Sequence, residues 1–281
     1  MNYRHAFHAG NFADVVKHAL FCRLVRYLQR KDGAIRIYDT HAGPGLYDLS
    51  GDEASRTLEH QGGIAALAAA DPAIRADPLL SDYWNCVAPD LAEGRYPGSP
   101  LIARRLLRPQ DRLSAYELHP VDGDALKTRF AGDTAVKAIA LDGWLALGAH
   151  VPPKERRGLV LIDPPFEKVS EVDDIAAALA RALHRWRGGI YAVWYPMKRQ
   201  AMVERLRDAL VEVAPGEVVF AEFLAEPMSA EERFVGTGLA VINPPFVFAE
   251  EAEALLSRLL PVLGRGTTAT FAVKQRPASG S

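Results

Sequence analysis

The sequence predicts an α/β fold in which a mostly parallel, doubly wound sheet is covered by helices on both faces. Seven strand-like segments recur along the chain with helical spacers between them, and this alternation is typical of such sheets. Several of these segments end in glycine or acidic residues, as strands do at the ligand-binding edge of an open sheet. The 281 residues are 49% hydrophobic and 24% charged, which are ordinary values for a globular protein with a substantial core.

The composition excludes several classes of protein. A net charge of −2 argues against a protein that coats nucleic acid or membrane by bulk cationic attraction, although a local basic face remains compatible with it. The two cysteines, Cys22 and Cys86, cannot form a disulfide framework and lack zinc-site spacing. No run approaches the roughly 18 apolar residues of a membrane span, and the N-terminus has no signal-peptide core. We therefore expect a cytoplasmic protein that does not bind membranes.

The first predicted element is a helix that begins after Asn11. Asn11 is a suitable N-cap, and Asp14 places a carboxylate in the first turn, where its negative charge interacts favourably with the helix dipole. The apolar residues that follow at intervals of four mark one buried face; they are Val16, Leu20, Leu24 and Leu28.

The remaining elements alternate. The seven predicted strands are residues 35–39, 113–117, 135–141, 158–162, 189–195, 218–223 and 238–242. From 49 to 97 the chain is rich in alanine, aspartate and proline and shows no strand pattern, so we predict a small helical insertion subdomain there. Residues 1–48 and 98–281 would then form the main domain, with residues 264–281 as a frayed or extended tail.

A glycine pair follows the first predicted strand, in Thr40-His-Ala-Gly43-Pro-Gly45. Such a pair lets a cofactor approach the backbone closely, but strand-to-helix turns also need glycine for purely structural reasons. The third glycine of a dinucleotide fingerprint is missing, since Tyr47 and Asp48 occupy that region. Pro44 also removes an amide that could face a pyrophosphate. These features disfavour a nicotinamide enzyme.

Acidic residues end the next two predicted strands. Glu117 is suited to accept hydrogen bonds from both ribose hydroxyls of a nucleoside. Asp142 can accept a hydrogen bond from an adenine amino group, while the backbone of Gly143 donates one to the ring. Each acid alone could be a solvated residue at a strand end. Together with Asp163, which follows the fourth predicted strand, they make three acids at strand ends, and this pattern favours a nucleoside-binding site.

The most specific motif, Asp163-Pro-Pro-Phe166, follows the fourth predicted strand. The two prolines restrict the turn and leave the Asp163 carboxylate and the Pro164 carbonyl as hydrogen-bond acceptors. Two acceptors on a rigid turn suit a planar substrate with an exocyclic amine, because hydrogen bonds from both N–H groups stabilise the positive charge that develops during attack. Phe166 can stack on the face of the base. The alternative is a structural Pro-Pro loop.

At this point the chain resembles the bacterial 23S rRNA adenine-N6 methyltransferase family that modifies the large-subunit adenine numbered 2030. The resemblance covers nearly the whole chain. It rests on Tyr3-Arg-His-Ala-Phe-His-Ala-Gly-Asn11, Ala13-Asp-Val-Val-Lys-His18, Asp39-Thr-His-Ala-Gly43, Tyr96-Pro-Gly-Ser-Pro-Leu-Ile102, Glu117-Leu-His-Pro120 and Leu161-Ile-Asp-Pro-Pro165. It implies a Rossmann-like methyltransferase fold, S-adenosylmethionine as cofactor, 23S rRNA as partner, and a base turned out of its stack.

Together, the motifs and the resemblance predict the residues of the site. The predicted cofactor-binding residues are His18, His41, Gly43, Ser99, Glu117, Asp142, Gly143 and Asp163. The predicted catalytic residues are Asp163, Pro164 and Phe166, and the predicted substrate-RNA residues are Tyr3, Arg4 and His5. Many relatives carry tyrosine where Phe166 stands; phenylalanine keeps the stacking face and loses only the hydroxyl.

Other features compete with this interpretation. A second motif, Asn243-Pro-Pro-Phe246, also follows a strand, but that strand is expected to lie far from the methyl donor. The histidines near the N-terminus lack ligand spacing, so we expect no metal. The Trp194-Tyr-Pro196 strand end either lines the base pocket or packs in the core. Among several basic groups, those near the carboxyl ends of strands, such as Lys198 and Arg199, are candidates for phosphate contacts.

Two functional alternatives stay open. The same amino-methyl transfer could act on DNA adenine or on a protein glutamine amide, although no large target-recognition domain is evident. More distantly, the chain could be a non-catalytic RNA-binding domain of Rossmann-like fold. We expect a monomer with no obligate protein partner.

Overall fold

The computed structural model describes residues 5–168, 170–229 and 231–278. Tyr3 and Arg4 therefore lie outside the described residues. The helices are α1 (Phe12–Leu28), α2 (Asp52–Thr57), α3 (Ile64–Ala69), α4 (Pro72–Ala76), α5 (Ser81–Leu91), α6 (Ser99–Leu106), α7 (Pro120–Arg129), α8 (Gly143–Ala149), α9 (Glu171–Arg185), α10 (Gln200–Val213) and α11 (Phe248–Leu263). Two 3-10 turns cover His5–Phe7 and Glu59–Gly62. The strands are β1 (Arg36–Asp39), β2 (Leu46–Asp48), β3 (Arg95–Pro97), β4 (Arg112–Tyr116), β5 (Val136–Ile139), β6 (Gly158–Ile162), β7 (Ile190–Met197), β8 (Val218–Leu224), β9 (Gly236–Ile242) and β10 (Thr270–Arg276).

Eight of these strands form one sheet in the order β10-β8-β9-β7-β6-β1-β4-β5. The five strands from β7 to β5 are parallel, and β9 and β10 are antiparallel to their neighbours. The chain passes from β1 outwards to β5 and then returns to β6 on the other side of β1. This reversal creates a crevice at the carboxyl ends of β1 and β6, where open sheets bind ligands. The arrangement confirms the predicted Rossmann-like α/β fold.

The sheet has one strand more than the predicted seven. Residues 264–281 were expected to form a tail, but Thr270–Arg276 pairs with β8 along its whole length, from Thr270 opposite Leu224 to Arg276 opposite Val218. The prediction was wrong because an edge strand is partly exposed and need not carry a continuous apolar run. Its backbone still completes the hydrogen bonding of β8, which would otherwise be an open edge.

Helices cover both faces of the sheet, so each central strand is buried on both sides. In β6, Leu159 and Leu161 pack in one core layer with α1, α6 and α11, while Val160 and Ile162 pack in the other with α8, α9 and α10. Successive strand residues point to opposite faces. The strand therefore reads as an unbroken apolar segment, which explains why the sequence predicts it at its observed bounds.

Residues 49–97 contain the four helices α2 to α5. The antiparallel pair of β2 and β3 brackets them, with Leu46 opposite Pro97 and Asp48 opposite Arg95. These two short strands were not expected. The division of the chain into a main domain and an insertion subdomain stays a prediction. Among the described residues, no helix is long and apolar enough to span a bilayer.

The second proline-proline motif lies at the opposite end of the parallel strands from the first. β9 is antiparallel to β7 and therefore also runs opposite to β6. Asn243, at the end of β9, lies at the amino ends of the parallel strands, whereas Asp163 lies at their carboxyl ends. The Asn243 amide donates hydrogen bonds to the carbonyl oxygens of Arg187 and Gly189, at 2.8 and 2.7 Å. Asn243 therefore ties two loops together and lies away from the crevice.

Candidate active site

A cavity of about 200 Å³ opens at the carboxyl ends of β1, β4, β6 and β7, beside the start of α1. Among the sequence-predicted site residues, those that line it are His5, His18, His41, Gly43, Ser99, Glu117, Asp163 and Pro164. Asp142, Gly143 and Phe166 are in neighbouring loops but outside this lining. The strand register explains the convergence, since Asp39 of β1 lies opposite Leu161 of β6 and Ala115 of β4.

The glycine turn after β1 is joined to the acid after β4. The Gly43 amide donates a hydrogen bond to Glu117 Oε2 at 2.8 Å, and the His119 amide donates to Glu117 Oε1 at 2.7 Å. Gly43 has a φ of +60°, and a Cβ there would lie 2.3 Å from the Tyr47 hydroxyl. Glycine is therefore required for the turn itself. Burial raises the pKa of Glu117, which the two backbone amides partly counteract.

The loop after β5 packs tightly against the loop after β1. Asp142 caps α8 by accepting a hydrogen bond from the Trp144 amide at 2.8 Å. A Cβ on Gly143 would lie 2.2 Å from the carbonyl oxygen of Thr40. The two loops can approach this closely only because residue 143 has no side chain.

Two histidines flank the cavity, the buried His18 and the half-buried His41. His18 is 1% exposed, its Nδ1 lies 2.8 Å from the Tyr96 hydroxyl, and its Nε2 has no hydrogen-bond partner among the described residues. Burial holds the pKa of His18 well below its usual value. Burial also lowers the pKa of His41 to about 4, and its ring contacts the edge of Trp144 at 4.9 Å between centroids. Both imidazoles are thus neutral near pH 7.

Asp163 is held by a lysine that the sequence analysis did not single out. Lys17 Nζ lies 2.6 Å from Asp163 Oδ2 and 2.8 Å from Asp14 Oδ1. The Lys17 side chain is 3% exposed, against 2% for Asp14 and 13% for Asp163. Burial alone would lower the pKa of Lys17, but the two carboxylates hold it above its usual value. The cation therefore stays charged and fixes one oxygen of Asp163.

A signal for Lys17 exists in the sequence. A lysine beside His18, one turn after an N-terminal Asp14, lies in a helix whose other positions are almost all apolar. Burial by itself would raise the pKa of Asp14, but His5 and Lys17 hold it well below its usual value. The His5 ring nitrogen Nε2 lies 2.9 Å from Asp14 Oδ2. The first turn of α1 is therefore a charged network that ends on Asp163.

Aromatic side chains line the cavity on the side of β7. Trp194 and Phe234 both line it, with their ring centroids 6.5 Å apart. Phe166 packs edge-on against Trp194 at 5.8 Å and has a φ of +52°, which is uncommon for a bulky residue and points to a constrained turn. Of the two interpretations of the Trp194 strand end, the pocket-lining one holds for Trp194 and Pro196, while Tyr195 faces the interior and donates to Glu222 at 2.6 Å.

The described residues contain no group of three or more metal-ligating side chains that could hold an ion. His5 and His8 instead lie against carboxylates, His5 against Asp14 and His8 against Glu59 at 3.0 Å. The acids of the cavity are thus engaged by histidine, lysine or backbone amides.

The chain is similar to known proteins over most of its length. Residues 32–274 match the family described as "Ribosomal RNA large subunit methyltransferase D, RlmJ". A protein of Escherichia coli K12 named "Ribosomal RNA large subunit methyltransferase J" is 38% identical, covering 93% of this chain and 95% of its own. A protein of the same name from Haemophilus influenzae is 34% identical, covering 98% of both chains. The crystal structure of protein LPL1258 from Legionella pneumophila is 33% identical with a TM-score of 0.86, covering 97% of this chain and 99% of that one.

Proposed function

The chain belongs to the ribosomal RNA large subunit methyltransferase family, and on this premise we propose that it methylates N6 of an adenine in 23S rRNA with S-adenosylmethionine as methyl donor. The observation that carries the chemistry is the Asp163-Pro164 turn in the crevice between β1 and β6, where Lys17 holds one carboxylate oxygen. The target numbered 2030 is part of the proposal and comes from the sequence resemblance.

The residues in and around the cavity suit the proposed cofactor in their chemistry. Glu117 keeps lone pairs for ribose hydroxyls after accepting two amides. His18 offers an unpartnered Nε2, and its neutral ring does not repel a cationic ligand. Leu118, just after β4, and Leu145, in helix α8 after β5, lie outside the cavity lining and are 56% and 61% exposed. Exposed apolar side chains that follow two adjacent strands are suited to the two faces of a planar base.

When bound, S-adenosylmethionine would supply an electrophilic methyl group; the residues of the chain bind and orient the amine that receives it. Asp163 Oδ2 is occupied by Lys17, so Oδ1 and the Pro164 carbonyl are the two acceptors directed at the substrate. Accepting both N–H groups of an exocyclic amine withdraws its lone pair from conjugation with the ring. Fixed acceptors also stabilise the positive charge that develops on nitrogen.

Lys17 contributes by holding the Asp163 carboxylate in one orientation. An ion pair at 2.6 Å with both partners largely buried restricts the carboxylate far more than solvent would. The aromatic side chains of Trp194 and Phe234 provide apolar surface for a flipped base. Phe166 contacts Trp194 edge-on, and we propose that its ring reaches the base when substrate enters.

An acceptor assay tests this proposal. Purified protein is incubated with methyl-labelled S-adenosylmethionine and, in parallel, with 23S rRNA, DNA and a protein mixture, and the label in each acceptor is counted. We expect label in rRNA, recovered as N6-methyladenosine after digestion to nucleosides. Label only in DNA or protein would show that the same chemistry acts on another planar amine, and no label in any acceptor would favour a non-catalytic RNA-binding domain.

A further inference from the structure

The strand that carries Trp194 also brings a lysine to the cavity. Side chains alternate along a strand, so Trp194, Pro196 and Lys198 share one side of β7 and its extension, and all three line the cavity. At about 3.3 Å per residue, the Cα atoms of Trp194 and Lys198 lie roughly 13 Å apart. Lys198 thus lies outward from the aromatic side chains, towards the mouth of the site.

The charges of the cavity make Lys198 distinctive. Its lining contains the five carboxylates of Asp14, Glu59, Glu117, Asp122 and Asp163. Among the described lining residues the lysines are Lys17 and Lys198, with no arginine. Two carboxylates offset the charge of Lys17, whereas the described residues place no carboxylate within 4.0 Å of the half-buried Lys198. An RNA backbone that enters this acidic cavity therefore meets one uncompensated lysine.

The backbone around Lys198 is fixed from both sides. The Val235 amide donates to the Met197 carbonyl at 3.2 Å, and Arg199 Nε lies 3.1 Å from Glu232. Arg199 is thereby held by the loop that precedes β9, and its neighbour Lys198 is directed towards the cavity. A lysine on an anchored segment loses less conformational entropy on binding than one on a free loop.

The position of Lys198 favours RNA over the cofactor as its ligand. The glycine turn and Glu117 lie on β1 and β4, and β7 is separated from β1 by β6. With strands about 4.8 Å apart, β7 lies roughly 10 Å from β1 across the sheet. Lys198 is therefore beyond Asp163 when viewed from the cofactor side, where the nucleotide that presents its amine must enter.

We propose that Lys198 binds a backbone phosphate adjacent to the target adenosine and so positions the flipped nucleotide with its amine at Asp163. This inference rests on the proposed function, since it assigns a residue to the RNA substrate of the same site. Lysine is a point-charge partner for phosphate, and each such contact adds a salt-dependent increment to nucleic-acid affinity. Lys198 is a positioning residue that touches substrate away from the reacting atoms.

The test compares Lys198→Ala, Lys198→Arg and the control Lys154→Ala on a short RNA hairpin that contains the target adenosine. Lys154 is exposed, has no ion pair among the described residues, and precedes β6 at the opposite edge of the sheet, so its loss matches the change in net charge. We expect Lys198→Ala to raise KM for RNA about tenfold, as for one charge-assisted hydrogen bond. We expect kcat and the Kd for S-adenosylmethionine to stay within twofold, with Lys198→Arg restoring KM.

Two further readouts separate a phosphate contact from a general structural effect. The slope of log(kcat/KM) against log(salt) should become shallower by about 0.7 to 0.9 in Lys198→Ala and should not change in Lys154→Ala. A hairpin with a neutral methylphosphonate beside the target adenosine, on its 5′ or its 3′ side, should reproduce the tenfold loss in the wild-type protein. It should cause no added loss in Lys198→Ala.

Additive losses from the variant and the methylphosphonate, or an unchanged salt slope, would overturn the assignment of Lys198. A weakened Kd for S-adenosylmethionine would also overturn it, because Lys198 would then serve the cofactor. These outcomes all require a wild-type protein that methylates the hairpin. Absence of methylation by the wild-type protein would instead contradict the proposed function.

Discussion

The ion pair between Lys17 and Asp163 should be measurable as a loss of stability when the lysine is replaced. Lys17→Met removes a cation that is 3% exposed and lies 2.8 Å from Asp14 and 2.6 Å from Asp163. Removing one partner of a buried pair costs about 3–5 kcal/mol. Because Asp163 is 13% exposed and keeps some contact with solvent, we expect the lower end, about 3 kcal/mol of unfolding free energy. The variant should still fold, since domains are typically stable by about 5–15 kcal/mol.

The pH dependence of this loss identifies its cause. The folded-state pKa of Asp14 lies below its unfolded value, so its stabilisation is present above the unfolded pKa and is lost as pH falls through the folded one. The difference between wild type and Lys17→Met should be largest near pH 7 and should shrink below about pH 4. Urea unfolding followed by circular dichroism measures it, with Lys154→Met as the control. A loss that equals that of the control, or that does not shrink when the pH falls below about 4, would refute the ion-pair account.

A double variant separates stability from activity. In Lys17→Met/Asp14→Asn, one of the two carboxylates that lose Lys17 is itself made neutral, so we expect part of the lost stability to return. Methyl transfer should stay low, because Asp163 still lacks the cation that orients it. Recovery of both quantities together would show that Lys17 supports activity only through folding.

Three further outcomes follow from the structure. Gly143→Ala should destabilise the protein and weaken cofactor binding, since its Cβ would lie 2.2 Å from the Thr40 carbonyl oxygen. Gly148→Ala in the same helix meets nothing within 4 Å and should stabilise the protein by about 0.5–1 kcal/mol. Equal effects of the two substitutions in thermal unfolding would contradict this. Burial raises the pKa of Asp39 to about 7. The free energy of unfolding of the wild-type protein should therefore fall relative to that of Asp39→Asn as pH rises from about 4 to 7, which urea titrations at each pH measure. Tyr3→Ala, outside the described residues, should impair methylation more than cofactor binding in calorimetry, and an equal loss of both in a folded variant would speak against a substrate-side role.

The parallel centre of the fold could be predicted because its strands are buried on both faces. A strand such as β6 must be apolar at every position, and its end is marked by Asp163 and two prolines. The edge strand β10 could not be predicted in this way, since its residues are partly exposed and the pairing with β8 depends on where the chain returns in space.

The residues of the candidate site could be predicted where a motif directly follows a strand. The prediction was incomplete where residues from distant parts of the chain come together. Asp163 and Glu117 follow strands directly, whereas the contact between Lys17 and Asp163 joins residues 146 positions apart. A local motif likewise does not predict the direction of the strand that it follows. Asn243-Pro-Pro-Phe246 is similar in sequence to the first motif, yet the antiparallel course of β9 places it at the opposite edge.

Clusters of basic residues were the least informative pattern. Arg104, Arg105, Arg108 and Arg112 lie close together in the sequence. Three of them pair with acids, Arg104 with Asp133, Arg105 with Asp90 and Arg108 with Asp111, and Arg112 donates to backbone carbonyls. A run of arginines in sequence therefore does not identify an RNA-binding surface. The net charge of the chain does not show that many of its arginines are paired with acids inside the fold. Lys198 differs from them because it lines the cavity and has no ion pair among the described residues.

The central claim is that Asp163, and not the similar Asn243, engages an adenine amine of rRNA. Nucleoside mass spectrometry of 23S rRNA incubated with each variant and S-adenosylmethionine measures this most directly. We expect Asp163→Ala to bind the cofactor yet form less than about 1% of the wild-type N6-methyladenosine, the loss expected for removing a key transition-state contact, and Asn243→Ala to retain activity. Full activity in Asp163→Ala, or its loss only in Asn243→Ala, would contradict the account.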